Sequence, residues 1–536
     1  MSAETFNASD YLVDRHVAAG RGGRCAVTGP AGSLTYAALS ERVAALASGL
    51  TGLGVRPEER VMLVMSDRPE TAVTILALMR MGAIAVPVST MYNGTELAVL
   101  LRDARARVVV ATADSAAVAA DAVAQSPEAA TLVVVDEAGE ASDAGGVREA
   151  GSASGPAAAA AVLSWASVLS EGEGIGPLPA YPTWFDSPGF WLYTSGTTGV
   201  PKAAMHRHGS IARVCETYAS QVLGITPEDR CFSAARLFFA YGLGNSLFFP
   251  LAIGATAILD PARATPGGVA ARLAADRPTL FFGGPGFFAA MLAADVPTHT
   301  FSSVRLAVSA GEALPGGIYQ RFTSRYGVDI IDGLGSTEAL HIFISNRPGQ
   351  VRPGTSGTVV PGYEARIEDD LGALVGDGEP GNLLVKGDSI ATGYWCRTAT
   401  TRQVFRGEWL RTGDTYVRSA DGFYTCLGRS SEMIKAGGIW VSPMEVEARL
   451  IQHESVAECA VVGHRDSAGL ETVVACVVAA PGQTIEPDVL TRFCREGLAG
   501  FKRPRVILVA PALPKTATGK IQRTVVREIV STQLGK

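Results

Sequence analysis

The sequence predicts a layered α/β protein: a large N-terminal domain of α/β subdomains with a small β-rich subdomain, followed by a small C-terminal α+β domain. Three observations carry this. Helix-like and strand-like segments alternate from Leu34 to Phe239, short strand-like runs broken by Gly-Asp turns take over after Gly357, and a further unit of alternating helices and strands begins beyond Arg429. Alternation of the first kind favours parallel sheets covered by helices. At 536 residues the chain is too long for one core, so several layers or lobes must exist.

In order, LTYAALSERVAALASGLTGLG has apolar residues at helical spacing and ends on glycines, and RVMLVMS after it reads as a buried strand. The same pair returns at TAVTILALMRMG with AIAVPV, at ELAVLLRDAR with VVVATA, and at IARVCETYASQVL with CFSAARLFF. No fixed-period repeat is found, which disfavours a solenoid. Residues 139–161 are poor in large apolar side chains and read as a flexible surface loop. YEARIED, NLLVKG and WLRTGDTYVRSADGFYTCLGR predict the β-rich subdomain. In the last unit, SPMEVEARLIQH and EPDVLTRFCREGLA read as helices, AECAVVGH and ETVVACVVA as strands, and a basic tail closes the chain.

Composition narrows the function. Residues are 47% hydrophobic, 18% charged and 7% aromatic, a globular balance. A net charge of −6 argues against a phosphate-backbone binder, so no nucleic-acid partner is expected. The eight cysteines are scattered without a CxxC pair or a Cys/His cluster, as reduced structural thiols of a cytoplasmic protein would be. MSAETFNASDYLVDRH lacks the basic flank and apolar run of a signal peptide. Thr71 to Thr90 is the best membrane candidate, but Arg80 and Gly82 split it into a buried helix and strand, so no membrane partner is expected.

The strongest local signal is Tyr193-Thr194-Ser195-Gly196-Thr197-Thr198-Gly199-Val200-Pro201-Lys202, directly after the strand-like GFWLY. Its hydroxyls and backbone N–H groups can donate to phosphate oxygens, its glycines permit close backbone approach, and Lys202 adds a point charge. The spacing is not that of a Walker A loop. A solvated Ser/Thr/Gly turn is the bland alternative for any such loop, and the complete ten-residue string argues against it.

That string resembles the signature of the adenylate-forming enzymes, the superfamily of acyl- and aryl-CoA ligases, luciferases and peptide-synthetase adenylation domains. Further motifs occur in the family's order. Ser309-Ala310-Gly311-Glu312-Ala313-Leu314 resembles the adenine-contacting segment, and Asp332-Gly333-Leu334-Gly335-Ser336-Thr337-Glu338 the one after it. Arg352 to Gly357, Trp409 to Asp414, Gly428-Arg429 and Pro514 to Ile521 complete the series, so the match spans nearly the whole chain.

The resemblance implies ATP, magnesium and coenzyme A as cofactors and a site assembled from these motifs. It assigns the catalytic roles to Lys520, Thr337 and Glu338: Lys520 bridges the substrate carboxylate and α-phosphate, Thr337 bonds that phosphate, and Glu338 holds magnesium. Asp414 would accept the ribose hydroxyls, and Arg429 would approach ribose or phosphates. Taken alone, Glu338 is an ordinary residue at a helix N-terminus, Thr337 a helix cap, Asp414 a turn former, Arg429 a surface ion pair and Lys520 solvated charge. The resemblance also implies a large domain over residues 1–427, a hinge at 428–431 and a mobile C-terminal lid over 432–536, with Ser431 in place of the usual aspartate. Gly437 and Gly438 would line a pantetheine tunnel, with Phe501 and Lys502 beside the adenine and phosphates of coenzyme A; a simple turn and a solvated basic patch are the alternatives.

Arg236 to Pro250 holds five aromatics in a chain poor in them, which points to a flat apolar acid pocket, with a plain core helix as the alternative. Together with the run from Asp332 to Asn346, this segment resembles benzoate-CoA ligases more than ligases of acetate, fatty acids or coumarate. Phe239, Ala240, Tyr241, Gly244, Gly284, Leu334, Gly335 and His341 are the expected pocket residues, though a lone histidine beside an apolar run is more often a satisfied core residue. Benzoate ligases carry bulkier residues where this chain has Phe282-Gly283-Gly284-Pro285-Gly286, a departure that would enlarge the ring pocket and admit an amino or hydroxyl substituent. The expected activity is conversion of benzoate, or an amino- or hydroxybenzoate, to its adenylate and then to aryl-CoA. Two alternatives stand beside it: loading of a carrier-protein phosphopantetheine, and an inactive nucleotide-binding scaffold. The sequence is compatible with a homodimer and carries no signal that fixes the oligomeric state.

Overall fold

The computed structural model describes residues 5–135, 148–149, 161–194, 201–294, 296–430, 432–436, 439–465, 471–515 and 521–535. Among these, two large, mostly parallel sheets lie within residues 25–359, as the helix-strand alternation requires. The first has eight strands in the order Lys202–Arg207, Pro188–Thr194, Ile84–Pro87, Arg60–Val64, Val108–Thr112, Thr131–Val135, Ala161–Ser164 and Arg148–Glu149. The second has nine: Thr358–Val359, Ile342–Ser345, Ile330–Gly335, Leu306–Ser309, Leu280–Gly283, Arg230–Ser233, Thr256–Ile258, Cys25–Gly29 and Gly32–Thr35. Their central strands are buried throughout, as in Val108–Thr112 and Leu280–Gly283, which is why these segments read as unbroken apolar runs.

Local chemistry sets the helix ends. Helix Gly94–Ala104 begins at a reciprocal cap, Asn93 accepting from the Glu96 amide while Glu96 accepts from the Asn93 amide, and it stops where Arg105 turns left-handed. Helix Tyr36–Gly52 is capped by Thr35 and crosses helix Trp165–Ile175 closely; a Cβ on Gly49 would lie 2.0 Å from the Val168 carbonyl oxygen. The expected membrane candidate resolves into helix Pro69–Arg80 and buried strand Ile84–Pro87. No helix among the described residues is long and apolar enough to cross a membrane.

The predicted β-rich region is an antiparallel sheet of Tyr363–Glu368, Gly381–Gly387, Trp409–Arg418, Phe405–Arg406 and Tyr424–Arg429. Beyond it, Val456–Arg465, Glu471–Ala479 and Val506–Val509 form a separate sheet. Alternate side chains of that sheet enter two small cores: Cys459 and Val461 join Val446 and Leu450 on one face, while Ala460 and Val462 join Val526 and Val530 on the other. Glu432 is tied to this unit by an ion pair with Arg523 at 3.2 Å, and Arg523 also forks onto Glu447. The 139–161 loop lies outside the described residues apart from 148–149 and 161.

Candidate active site

Strand Pro188–Thr194 delivers the phosphate-loop motif and Lys202–Arg207 carries the chain back antiparallel, with Lys202 opposite Thr194. Ser195, Gly196, Thr197 and Thr198 lie outside the described residues, as do Lys520, Ser431, Gly437 and Gly438. The far edge of the returning strand pairs with residues 392–395: Met205 N donates to Gly393 O, Thr392 N to Met205 O, and Trp395 N to Ala203 O. This pairing brings Tyr394 beside the loop lysine, whose Nζ stands 5.1 Å from the Tyr394 ring centroid.

Glu338 approaches the same place from the other large sheet. Strand Ile330–Gly335 ends, and Ser336 Oγ accepts from the Ala339 amide to close a turn. No helix follows, so reading Glu338 and Thr337 as helix-terminal residues is wrong here. The turn is fixed from three sides: His206 Nε2 meets Thr337 O at 2.8 Å, Ala391 N donates to Glu338 O at 2.8 Å, and Ser389 Oγ donates to Ala339 O at 2.7 Å. The Tyr394 hydroxyl donates to Glu338 Oε1 at 2.6 Å. Burial holds the Tyr394 phenol far above its ordinary pKa, with the Glu338 charge adding to the effect, and burial lowers His206 to about 4, so both are neutral at pH 7.

Asp414 and Arg429 face each other across neighbouring strands, with Arg429 Nε 3.1 Å from Asp414 Oδ1. Asp414 raises the Arg429 pKa most, and Glu338 raises it too, so the pair lies within electrostatic reach of the Glu338 turn. The ion pair that is the alternative reading of Arg429 is thus present, and it joins Arg429 to Asp414, the other residue assigned to the ribose. Asp332 is buried: its Oδ2 accepts from Leu314 N while Oδ1 has no hydrogen-bond partner. Burial pushes its carboxyl up to about 8. Gly333 is held against Ile342, Ala310 is buried, and Gly311 takes a left-handed turn, with Glu312 and Ala313 following.

Residues Ala240–Leu243 form one helical turn, and Gly244–Phe248 continue it as a wider π turn. The Tyr241 hydroxyl donates to Val308 O at 3.0 Å. His341 is buried among Tyr218, Tyr241 and Phe249, and its Nε2 meets Asn245 Oδ1 at 3.1 Å. Burial lowers its pKa to about 3, making it a neutral ring whose Nδ1 has no partner, so it is only half satisfied. Phe248 and Phe249 are core, whereas Phe239 packs on Phe238 at the helix start and remains partly exposed.

Two expected pocket glycines lie tight against His341. A Cβ at Gly244 would stand 2.4 Å from His341 Cδ2, and one at Gly335 2.6 Å from His341 O; their missing side chains make room for His341. Gly284 does face space, its nearest neighbour being Ala310 O at 3.5 Å, and Leu334 is half-buried beside the apolar core. Lys502, assigned to coenzyme A, is engaged by Glu445 at 2.6 Å, while Phe501 is exposed beside it.

Sequence reasoning missed Tyr394, His206 and Asn245. Tyr394 sits in Ala391-Thr392-Gly393-Tyr394-Trp395, a glycine turn with adjacent aromatics, and that local oddity was its only signal. Magnesium fits the donor set only with the nucleotide's own phosphates. Among the described residues no group of three or more His, Cys, Asp or Glu gathers as a cage, and Glu338 offers one carboxylate, bonded to the tyrosine whose ring Lys202 faces. The orphaned Asp332 Oδ1 and Ser309 Oγ, on adjacent strand ends, suit a polar ligand such as adenine.

Fold and site together define an α/β protein in which the Glu338 turn and the Lys202 strand adjoin a buried aromatic cluster. The chain belongs to the AMP-binding enzyme family, whose model matches residues 14–395, with the AMP-binding enzyme C-terminal domain matching 445–520. It is 42% identical to benzoate–CoA ligase of Thauera aromatica, over 97% of this chain and 95% of that one. It is 40% identical to 4-hydroxybenzoate–CoA/benzoate–CoA ligase of Rhodopseudomonas palustris, over 99% and 95%. The solved anthranilate CoA ligase AuaEII, in complex with anthranoyl-AMP, superposes with a TM-score of 0.90 at 37% identity, covering 99% of both chains.

Proposed function

We propose that this protein activates a benzoate-type acid with ATP and transfers the aryl group to coenzyme A. The observation that carries the reading is the 337–341 turn. Glu338 bonds Tyr394, whose ring stands 5.1 Å from Lys202 Nζ, while His341, three residues on, packs among Tyr218, Tyr241 and Phe249, with Leu340 left-handed (φ 70°) between them. One short segment thus joins a phosphate end to a ring end, as a site condensing an aryl acid with a nucleotide needs. The 40–42% identity to benzoate ligases over almost the whole chain supports the same acid class.

The acid's carboxylate attacks the α-phosphorus of ATP and pyrophosphate leaves; the thiol of coenzyme A then attacks the acyl carbon and AMP leaves. Two anions meet in the first step, so fixed positive charge dominates it. Lys202 supplies that charge from the large lobe, Arg429 from the hinge, and Lys520 from the C-terminal lobe. Thr337 donates to the α-phosphate, Asp414 accepts the ribose hydroxyls, and the segments at Ala310–Ala313 and Asp332–Gly333 receive adenine. Tyr241, Ala240, Phe239 and His341 hold the ring, with Gly284 leaving space for a substituent. A magnesium ion held by Glu338 would supply neutralisation of the leaving pyrophosphate. Rotation of residues 432–536 about 428–431 would then bring Gly437, Gly438, Phe501 and Lys502 to coenzyme A, with the Lys502–Glu445 pair opening. The eight free cysteines and the use of ATP and coenzyme A fit a cytoplasmic enzyme.

ATP–pyrophosphate exchange across benzoate, its amino and hydroxy derivatives and short aliphatic acids tests this reading. Exchange is expected with the aryl acids, followed by thioester formation with free coenzyme A. Exchange with none of them, or thioester formation only on a carrier protein, overturns it.

A further inference from the structure

We propose that Tyr394 is a positioning residue that sets the Glu338 carboxylate for its metal, and that residues 391–397 act as a clasp locking this carboxylate to the phosphate loop. The proposal rests on the reading of Glu338 as the magnesium carboxylate. The Tyr394 phenol makes the direct bond, 2.6 Å to Glu338 Oε1, and is itself only 5% exposed. Its backbone leaves it little freedom: the segment is stitched to the Lys202–Arg207 strand through the Met205, Thr392 and Trp395 amides, and Ala391 N holds the Glu338 carbonyl.

Asp103 anchors the far end. Its carboxylate accepts from the Tyr193 hydroxyl at 2.8 Å and from Arg397 Nη2 at 2.7 Å, while its carbonyl accepts from the Trp395 indole at 2.9 Å. Tyr193 immediately precedes the phosphate-loop hydroxyls, so one aspartate on helix Gly94–Ala104 fixes both the root of that loop and the segment bearing Tyr394. A phenol that donates to one oxygen of a carboxylate leaves the other oxygen, and the remaining lone pairs of the first, to a cation in a fixed direction. The ring face beside Lys202 holds that lysine near the same carboxylate without a direct ion pair between them, leaving its charge for phosphate.

The test reads metal binding rather than turnover. Mn²⁺ affinity in the presence of α,β-methylene-ATP is measured by electron paramagnetic resonance for the full chain, for Tyr394→Phe, for Glu338→Gln and for the double variant. Tyr326→Phe, which removes a buried hydroxyl bonded to Met291 O in the Phe288–Phe322 core, serves as the structural control. Tyr394→Phe is expected to weaken Mn²⁺ about tenfold, the effect of removing a group that orients a metal ligand. Metal-free nucleotide affinity should stay unchanged, and the Tyr394 effect should vanish in the Glu338→Gln background. Tyr326→Phe is expected to bind Mn²⁺ as the unaltered protein does. Mn²⁺ affinity of Tyr394→Phe within twofold of the unaltered protein, or an equal loss in the Glu338→Gln background, overturns the proposal. No substrate acid is present, so failure here is distinguishable from failure of the aryl-acid reading.

Discussion

Gly244 and Gly284 both look like pocket glycines in the sequence, and the structure gives them opposite consequences. In Gly244→Ala the new methyl would stand 2.4 Å from His341 Cδ2, 2.8 Å from His341 Nε2 and 3.2 Å from Phe249 Cζ. Phe249 is core and His341 is enclosed by Tyr218 and Tyr241, so the histidine must move and its bond to Asn245 is lost. Overpacking of this kind costs ~1–3 kcal/mol and the lost hydrogen bond about 1 more, so about 2–4 kcal/mol of stability is expected to go. The displaced ring also reshapes the recess, so kcat/KM for benzoate should fall by about tenfold or more. In Gly284→Ala the methyl meets only Ala310 O at 3.5 Å, an ordinary contact. Gly284 caps helix Pro285–Ala293, so the change costs at most about 1 kcal/mol. It narrows the recess and should lower kcat/KM for substituted benzoates against benzoate, within the roughly 10–200-fold that one methylene commands. Denaturant midpoints and pyrophosphate-exchange kinetics on both variants decide the matter. A Gly244→Ala protein with unaltered midpoint and unaltered benzoate kcat/KM would refute the packing assignment of Gly244.

Lys520→Ala should abolish adenylate formation yet leave thioester formation from a supplied aryl-adenylate largely intact; equal loss in both half-reactions contradicts the assignment. Asp414→Asn removes a charged acceptor and releases Arg429, so exchange should fall by roughly 10–150-fold with KM for ATP rising, the span of a lost charge-assisted bond; unchanged ATP kinetics would count against a ribose role. His206 and His208 are buried and neutral, each lowered by burial to about 4. Because their folded pKa values lie below the unfolded value near 6.5, their contribution to stability is fully present above about pH 6.5. It is lost on acidification towards pH 4, at about 1.4 kcal/mol per pH unit for each histidine. Denaturant midpoints at pH 7.5 and 5.5 measure this, and equal midpoints would exclude it.

The motifs that carry the family resemblance were legible because each is a contiguous run whose backbone and side chains meet one chemical demand. The helix-strand pairs from Leu34 to Thr112 were legible because strands buried on both faces must be apolar throughout. By contrast, Tyr394 lies 56 residues from Glu338 and Asp103 lies 294 from Arg397, and nothing in a linear pattern reports which hydroxyl will reach which carboxylate. The helix that the bland alternative would put at Glu338 does not form; the turn there is held by hydrogen bonds from His206, Ser389 and Ala391, all distant in sequence.

By itself, then, the sequence determined the layered α/β architecture and the aromatic content of the Arg236–Pro250 segment, which follow from local composition and period, and the order of the nucleotide motifs, which the family resemblance supplied. Only the tertiary structure decided that Gly244 lies tight against His341, that His341 is a buried neutral ring, and that Tyr394 bonds Glu338 from a segment paired with the Lys202–Arg207 strand. Those outcomes depend on distances between atoms far apart in the chain, and such distances are set by how two twisted sheets and a β subdomain close against one another.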